Sequence, residues 1–299
     1  MADAPAAGGF RCGHVAIVGR PNVGKSTLVN RLVGAKVSIT SKKAQTTRHR
    51  ITGILTTADA QFVFVDTPGF QTRHRGPLNA RMNRTVTQSL AAVDAVLLVL
   101  EAGRTVAADR AVVDLLPQQA HAIAALNKVD ALADKNALLP QIAALAALRP
   151  FAAIVPVSAA SGLALDALIA ELRALLPESP PIYGADEITD RDERFLAAEF
   201  VREKIFRLLG EEVPYRTTVA IDEFRHDGEV RRIRATVLVD RENQRAILVG
   251  AGGAKMKQIG TGARVEMERL FGGKVFLEIW VRVRKGWADD EASLTRLGY

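Results

Sequence analysis

Eight consecutive residues, Gly19-Arg20-Pro21-Asn22-Val23-Gly24-Lys25-Ser26, match the pattern GxxxxGK[ST] in full. They follow a β-branched apolar run, VAIV (15–18), and open STLVNRLVG, whose apolar spacing is helical. A strand, a glycine turn and a helix in that order form a phosphate cradle. The glycines let backbone N–H groups face a β-phosphate, and the helix N-terminus adds its partial positive charge. Lys25 is expected on the β- and γ-phosphates and Ser26 at a Mg2+ ion, with Thr27 beside it in the nucleotide-binding set. An ordinary glycine turn requires neither the lysine nor the serine. The loop therefore commits the chain around it to α/β architecture.

The rest of the first half agrees. FVFV (62–65), AVLLVL (95–100), AIAAL (122–126) and AIVPVS (153–158) read as strands buried on both faces. Helical patterns at 79–92, RAVVDLL, LLPQIAALAAL and LDALIAELRALL separate them. This alternation predicts a mostly parallel sheet with helices on both faces. It ends at Leu176, and LPESPP (176–181) reads as linker. We expect one domain over 10–177, a linker over 178–189 and a smaller α+β domain over 190–299. Thr189 stands at capping-box spacing from Asp192, ahead of the helix RFLAAEFVREKIFRLL. Two alternating strands, YRTTVAIDEF and EVRRIRATVLVD, meet at a hairpin signal, Asp227-Gly228. AILVG, a glycine-rich turn, a helix to Phe271 and the strand KVFLEIWVRVR complete the order helix, strand, strand, helix, helix, strand.

With 299 residues, 48% of them hydrophobic, the chain can bury a sizeable core. No apolar run reaches the roughly 18 residues of a membrane span. The longest candidate, 89–100, is broken by Asp94. The start, MADAPAAGGF, reads as a flexible tail with neither a basic nor an apolar signal-peptide region. A single cysteine, Cys12, excludes an internal disulfide framework and argues for a reducing, cytoplasmic setting. The net charge of +7 is uneven: residues 245–285 carry net +6, and 36–50 hold five basic residues and no acidic one. Such segments suit a polyanionic partner.

Asn127-Lys128-Val129-Asp130 follows the AIAAL strand and selects the base. Asp130 would accept hydrogen bonds from the ring N–H and the exocyclic amine of guanine. Adenine lacks that donor pair and would leave the carboxylate unpaired. Lys128 would lie along the base, and Asn127 would brace the phosphate loop. Ser158-Ala159-Ala160, after the next strand, would meet the guanine oxygen through backbone N–H. Asp66-Thr67-Pro68-Gly69 fits DxxG: Asp66 would hold Mg2+ through water, and Gly69 N–H would sense the γ-phosphate. Between Ser26 and Asp66, either Thr46 or Thr47 could complete the Mg2+ site, and the sequence does not choose between them. Lys25, Asn22, Thr46, Thr47 and Gly69 form the catalytic set.

Together, GRPNVGKST, KAQTTRHR, DTPGF and NKVD resemble the Era family of bacterial GTPases. VGAGGAKMKQIG, GARVEME and LEIWVRVRKGWADDEASLTRLGY are similar to that family's type II KH domain, so the resemblance spans nearly the whole chain from about residue 10. Der-type GTPases carry two GTPase domains, whereas one phosphate loop is present here. The resemblance implies a switch that hydrolyses GTP to GDP, binds small-subunit (16S) ribosomal RNA and acts, as a monomer, in assembly of the small ribosomal subunit. It also implies peripheral association with the inner membrane, which the basic segments would permit.

In the KH part, the loop Gly250-Ala251-Gly252-Gly253 would let an RNA backbone approach a helix N-terminus, because glycine presents no Cβ. Lys255 and Lys257 would neutralise phosphates. Ile247, Leu248 and Ile259 would floor the bases. Trp280 and Trp287 are each either stacking or core residues. Ala251 and Gly252 stand where the family usually has a polar or basic residue, which leaves the loop its backbone alone.

After DxxG, Phe70 occupies the place of the water-orienting glutamine of many GTPases and has no hydrogen-bonding group, so slow turnover is expected. In GTPases resembling this one, an asparagine at the place of Asn22 helps hold K+. An arginine from RNA-bound partners or from 48–50 is the alternative source of charge. Two other classes stand beside this reading. A protein-docking scaffold would lack RNA binding, and a small-molecule kinase is opposed by NKVD.

Overall fold

Alternate side chains of the first strand, β1 (Arg11–Val18), enter two separate cores. Val15 and Ile17 join one, and Ala16 and Val18 join the other. The computed structural model describes residues 9–70, 76–210 and 213–299, so most of the expected flexible tail, residues 1–8, lies outside the described residues.

After β1 come α1 (Lys25–Val33), β2 (Ile51–Thr56), β3 (Ala60–Asp66), α2 (Pro77–Leu90), β4 (Ala95–Glu101), α3 (Ala107–Val113), β5 (Ala122–Asn127), α4 (Leu138–Leu148), β6 (Ala153–Pro156) and α5 (Leu165–Leu175). The six strands lie in the order β2-β3-β1-β4-β5-β6. Every pairing is parallel except that of β2 with β3. Leu28 and Val29 of α1 and Leu168 and Leu172 of α5 cover one face. Val86 of α2, Val112 of α3 and Leu145 of α4 cover the other. Parallel strands bring their C-terminal ends to one edge, where such sheets bind ligands. Gly19, Asp66 and Asn127 all stand at that edge, at or just beyond the ends of β1, β3 and β5.

The strand β2 adds an outer, antiparallel strand to the five expected from the apolar runs. Gly53 at its middle lets α1 come close: a Cβ there would sit 2.8 Å from Val29 Cγ1.

The second half contains α6 (Glu193–Leu208), β7 (Thr217–Asp227), β8 (Val230–Val239), α7 (Glu242–Val249), α8 (Ala254–Phe271), β9 (Lys274–Val283) and a closing helix, α9 (Glu291–Arg296). β7 and β8 are antiparallel across Asp227-Gly228, while β8 and β9 run parallel. Phe200 and Ile205 of α6, Val237 of β8 and Met267 of α8 share a third core. Asp192, not Thr189, caps α6: its carboxylate accepts from Phe195 N at 2.8 Å. Thr189 instead donates its hydroxyl to Thr52 O, tying the connection to β2.

The two halves meet through residues 36–48 and through a small core in which Leu78 and Met82 of α2 pack with Trp287, Ala288 and Leu294. Ile39 enters the third core. Lys36 pairs with Glu203 of α6 at 2.7 Å and with Glu266 of α8 at 2.9 Å. Lys43 donates to the carbonyls of Phe206 and Leu209. Arg48 donates to those of Pro214, Tyr215 and Thr217. Three basic side chains of the 36–50 segment therefore hold the second half of the chain.

Candidate nucleotide site and RNA-binding face

Gly19, with φ 154°, and Gly24, with φ 99°, turn the chain from β1 into α1. Glycine is required at position 24, because a Cβ there would lie 2.3 Å from Asn127 Nδ2. Asn127 in turn donates to Val23 O and accepts from Ala159 N, both at 2.9 Å. One amide thereby fastens the phosphate loop, the end of β5 and the turn after β6. Inside the loop, Lys25 donates to Gly19 O and Arg20 O at 3.0 Å. Burial lowers its ammonium pKa to about 8, against the raising field of Asp66.

Ser26 Oγ lies 2.7 Å from both Asp66 Oδ2 and Thr47 Oγ1. Ser38 Oγ donates to the same carboxylate oxygen at 2.7 Å. Asp66 is 0% exposed, and its Oδ1 has no hydrogen-bond partner among the described residues. Burial raises the Asp66 carboxyl, while Lys25 and the three hydroxyls pull it back. The two threonines differ. Thr47 joins the cluster, whereas Thr46 Oγ1 is bonded to Ser41 Oγ and Lys43 O. Ser38 was missed by sequence reasoning, and nothing in KVSIT marks it. Thr67 Oγ1 donates to Ile17 O and so anchors the start of DxxG on β1. Gly69 abuts the loop, since a Cβ on it would come within 2.8 Å of Pro21 Cα.

At the base end, Lys128 has φ 70° and its ammonium pairs with Glu101 at 3.3 Å. Glu101 also holds Arg20 at 2.6 Å, which links the loop to the base motif. The Asp130 carboxylate is exposed and accepts from Ser158 Oγ, while Val129 is buried under it. Ala160 follows on the surface. Asn22 is exposed at φ 67° and makes no side-chain hydrogen bond within the turn. Phe70 packs against the core formed with α2 and β4. Arg48 is turned away from the loop into the second half of the chain, which removes it as a source of charge at the phosphates.

In the second half, the Gly250–Gly253 turn stands clear at the head of α8. Cβ atoms built on Gly252 and Gly253 would meet nothing within 4 Å. Ala251, Lys255 and Lys257 are exposed beside them. The expected apolar floor needs correcting: Leu248 and Ile259 belong to the third core, and only Ile247 faces out. A groove of about 400 Å³ is walled instead by Met256, Leu277, Ile279 and Trp280, with Arg245 and Lys257 at its sides. The tryptophans divide. Trp280 is 54% exposed on the groove, and Trp287 is 1% exposed, donating Nε1–H to Arg216 O.

Comparison with known proteins matches both halves. A family described as 50S ribosome-binding GTPase matches residues 14–128, and a KH domain family matches 212–288. The GTPase Era of Nitrosomonas eutropha is 56% identical over 293 residues, covering 98% of this chain and 99% of that one. The chain belongs to the Era family of GTPases. The Era relative from Chromobacterium violaceum is also 56% identical, over 298 residues, covering 100% of this chain and 99% of that protein. Two solved Era structures superpose with a TM-score of 0.93 at 38% identity, each covering 97% of this chain and 99% of the other. One is Aquifex aeolicus Era, in variant form, bound to GDP·AlF4⁻. The other is Era in complex with MgGDPNP and nucleotides 1506–1542 of 16S ribosomal RNA. The chain is thus an Era-type GTPase domain followed by a KH domain. Among the described residues, no helix is long and apolar enough to cross a membrane.

Proposed function

We propose that this Era-family GTPase couples its nucleotide state to binding of the 3′ region of small-subunit ribosomal RNA, and that it acts in small-subunit assembly. The observation that carries this reading is the double engagement of residues 36–48. Thr47 of this segment meets Ser26 and Asp66, while Lys36, Lys43 and Arg48 hold the KH half. A change at the γ-phosphate end of the site would therefore be felt by α6 and α8, and α8 begins at the glycine turn.

In this reading, Gly19 to Thr27, Asp66 to Gly69, Asn127 to Asp130 and Ser158 to Ala160 bind the nucleotide. Ser26, Thr47 and Asp66 would hold Mg2+. Their hard oxygens suit that ion, and the unpartnered Asp66 Oδ1 leaves a buried acceptor for its water. Mg2+, when bound, neutralises charge on the β- and γ-phosphates. Lys25 cradles the same phosphates, and Gly69 N–H reads the γ-phosphate. Asn22, whose side chain is not engaged in the turn, would hold K+ near the developing negative charge. Thr46 serves the fold of the segment rather than the metal. On the KH side, the turn at 250–253 with Lys255 and Lys257 would hold the RNA backbone, and the Trp280 groove would hold its bases.

Crosslinking of the GTP-bound protein in cells, followed by sequencing of the attached RNA, tests the partner. Enrichment of the 16S 3′ region is expected, and its absence would refute the assignment. For potassium, hydrolysis in KCl should exceed that in NaCl at matched ionic strength, and the excess should vanish in Asn22→Ala. Equal rates in the two salts would remove that role.

A further inference from the structure

A dense group of arginines lies outside both of these sites. A cavity of about 600 Å³ opens where the two halves meet, walled by residues 48–50, α2, α6, β7 and the chain end. Seven arginines line it. Arg48 and Arg202 form its floor and are 2% and 1% exposed. Arg81 and Arg191 stand on its sides, with Arg50, Arg194 and Arg296 at the exposed rim. The facing acids are few. Asp192 caps α6, Glu199 is bonded to Arg202, and Glu291 of α9 lies 3.6 Å from Arg81 Nε. Cationic groups remain in excess.

The donors on these arginines are not all used. Arg48 Nε, Arg202 Nη1, Arg81 Nη1 and Arg191 Nε are buried without a hydrogen-bond partner among the described residues. Arg191 Nε approaches an acid only at 3.6 Å, from Asp190 Oδ1. These four atoms are closed to solvent, so they leave uncompensated positive charge behind the cavity wall, while the groups that can reach a ligand are the half-buried Arg81 and Arg191 and the exposed Arg50, Arg194 and Arg296. Planar guanidinium groups match phosphate oxygens in pairs. The volume is that of a small-molecule site.

We propose that this cavity binds a small anion bearing two or more phosphate groups, which bridges the GTPase half to the KH half. Arg81 belongs to α2, and the exposed Arg194 to α6. A ligand touching both holds the two halves in this arrangement. The site is separate from the phosphate loop, so ligand and guanine nucleotide bind together. It also lies on the β7 side of the three-stranded sheet, away from the Trp280 groove beside β9.

The test uses the full chain loaded with Mg-GDPNP, so that the phosphate loop is filled, with free Mg2+ held constant. Calorimetric titration with inorganic tripolyphosphate should give one binding event per chain. Arg81→Gln and Arg191→Gln should each weaken it roughly tenfold, the loss of one charge-assisted contact. Arg225→Gln, on an exposed part of the β7–β8 hairpin, should leave it intact. GDPNP affinity should be unchanged in all three variants, which shows that they are folded. No heat from the loaded protein would overturn the proposal, as would equal loss in Arg225→Gln or equal binding of sulfate at matched ionic strength. Loss of 16S-fragment affinity in Arg81→Gln with tripolyphosphate binding unaffected would also overturn it, in favour of a cleft for RNA backbone.

Discussion

The guanidinium of Arg202, on α6, donates to the backbone carbonyl of Thr46. It thereby grips from behind the residue that precedes Thr47, which faces Ser26 at 2.7 Å. A buried arginine of the KH half and a hydroxyl of the nucleotide site are thus one peptide unit apart.

This arrangement separates the two threonines. Thr47→Ala should lower Mg2+ affinity and GTP turnover by at least roughly tenfold, as loss of a metal-site group does. Thr46→Ala should change both far less, because its hydroxyl is engaged with Ser41 and Lys43. Turnover measured against Mg2+ concentration distinguishes the variants, and equal defects would contradict the geometry.

Arg202 is also half of a buried ion pair with Glu199, at 2.6 Å. Burial alone would raise the Glu199 carboxyl, but Arg202 holds it below the usual carboxylate range. Arg202→Met strands that charge and should cost about 3–5 kcal/mol. The double variant with Glu199→Leu should recover much of the loss. Both tryptophans lie in this half of the chain, so fluorescence-detected unfolding in denaturant reports it.

Lys25 makes nucleotide binding pH-dependent. With its pKa lowered to about 8 in the free chain, it is charged below that pH and loses its proton above it. Bound phosphate favours the charged form, so binding above pH 8 must take up a proton. GDP affinity should be flat below pH 7 and should fall by up to about tenfold per unit above 8. Calorimetry in buffers of different ionisation enthalpy should show uptake approaching one proton near pH 9. No uptake there would mean that Lys25 stays charged in the free loop.

Asp130→Asn should move preference from guanine toward xanthine nucleotides, because the carboxylate that accepts two donors becomes an amide. Competition between GTP and XTP for the variant measures the switch.

Gly252→Asp should abolish RNA binding while sparing GTP hydrolysis. A Cβ there meets nothing, so the fold accommodates it, although φ 56° adds strain. Lys255→Ala should weaken RNA binding and reduce its salt slope by about one. Electrophoretic mobility shifts across a salt series test both.

The sequence was most readable where side chains are buried on both faces. VAIV, FVFV and AVLLVL are unbroken because α1 and α5 cover one side of them and α2, α3 and α4 the other. The β2 strand escaped because it is an edge strand whose glycine breaks the apolar run and whose end is half-exposed. In the site, spacing placed Gly19, Asp66 and Asn127 at strand ends and Lys25 at the start of α1, but it could not rank Thr46 against Thr47. That choice depends on which hydroxyl a non-repeating loop turns inward. Ser38 was invisible for the same reason. Leu248 and Ile247 are neighbours of equal hydrophobicity, and only packing against α8 decides which of them is core. Thr189 and Asp192 are both good caps, and Thr189 was taken by β2.

Asn127 sets a fixed gauge. By bonding Val23 and Ala159 at once, it holds the base end and the diphosphate end of the site at one separation. Any guanine nucleotide with two phosphates meets the same preassembled surface and orders little of it on arrival. GTP and GDP are therefore indistinguishable to this frame. What separates them must be borne by the parts not pinned to it, the 36–48 segment and Gly69, and the entropy of ordering those parts is charged to the third phosphate alone.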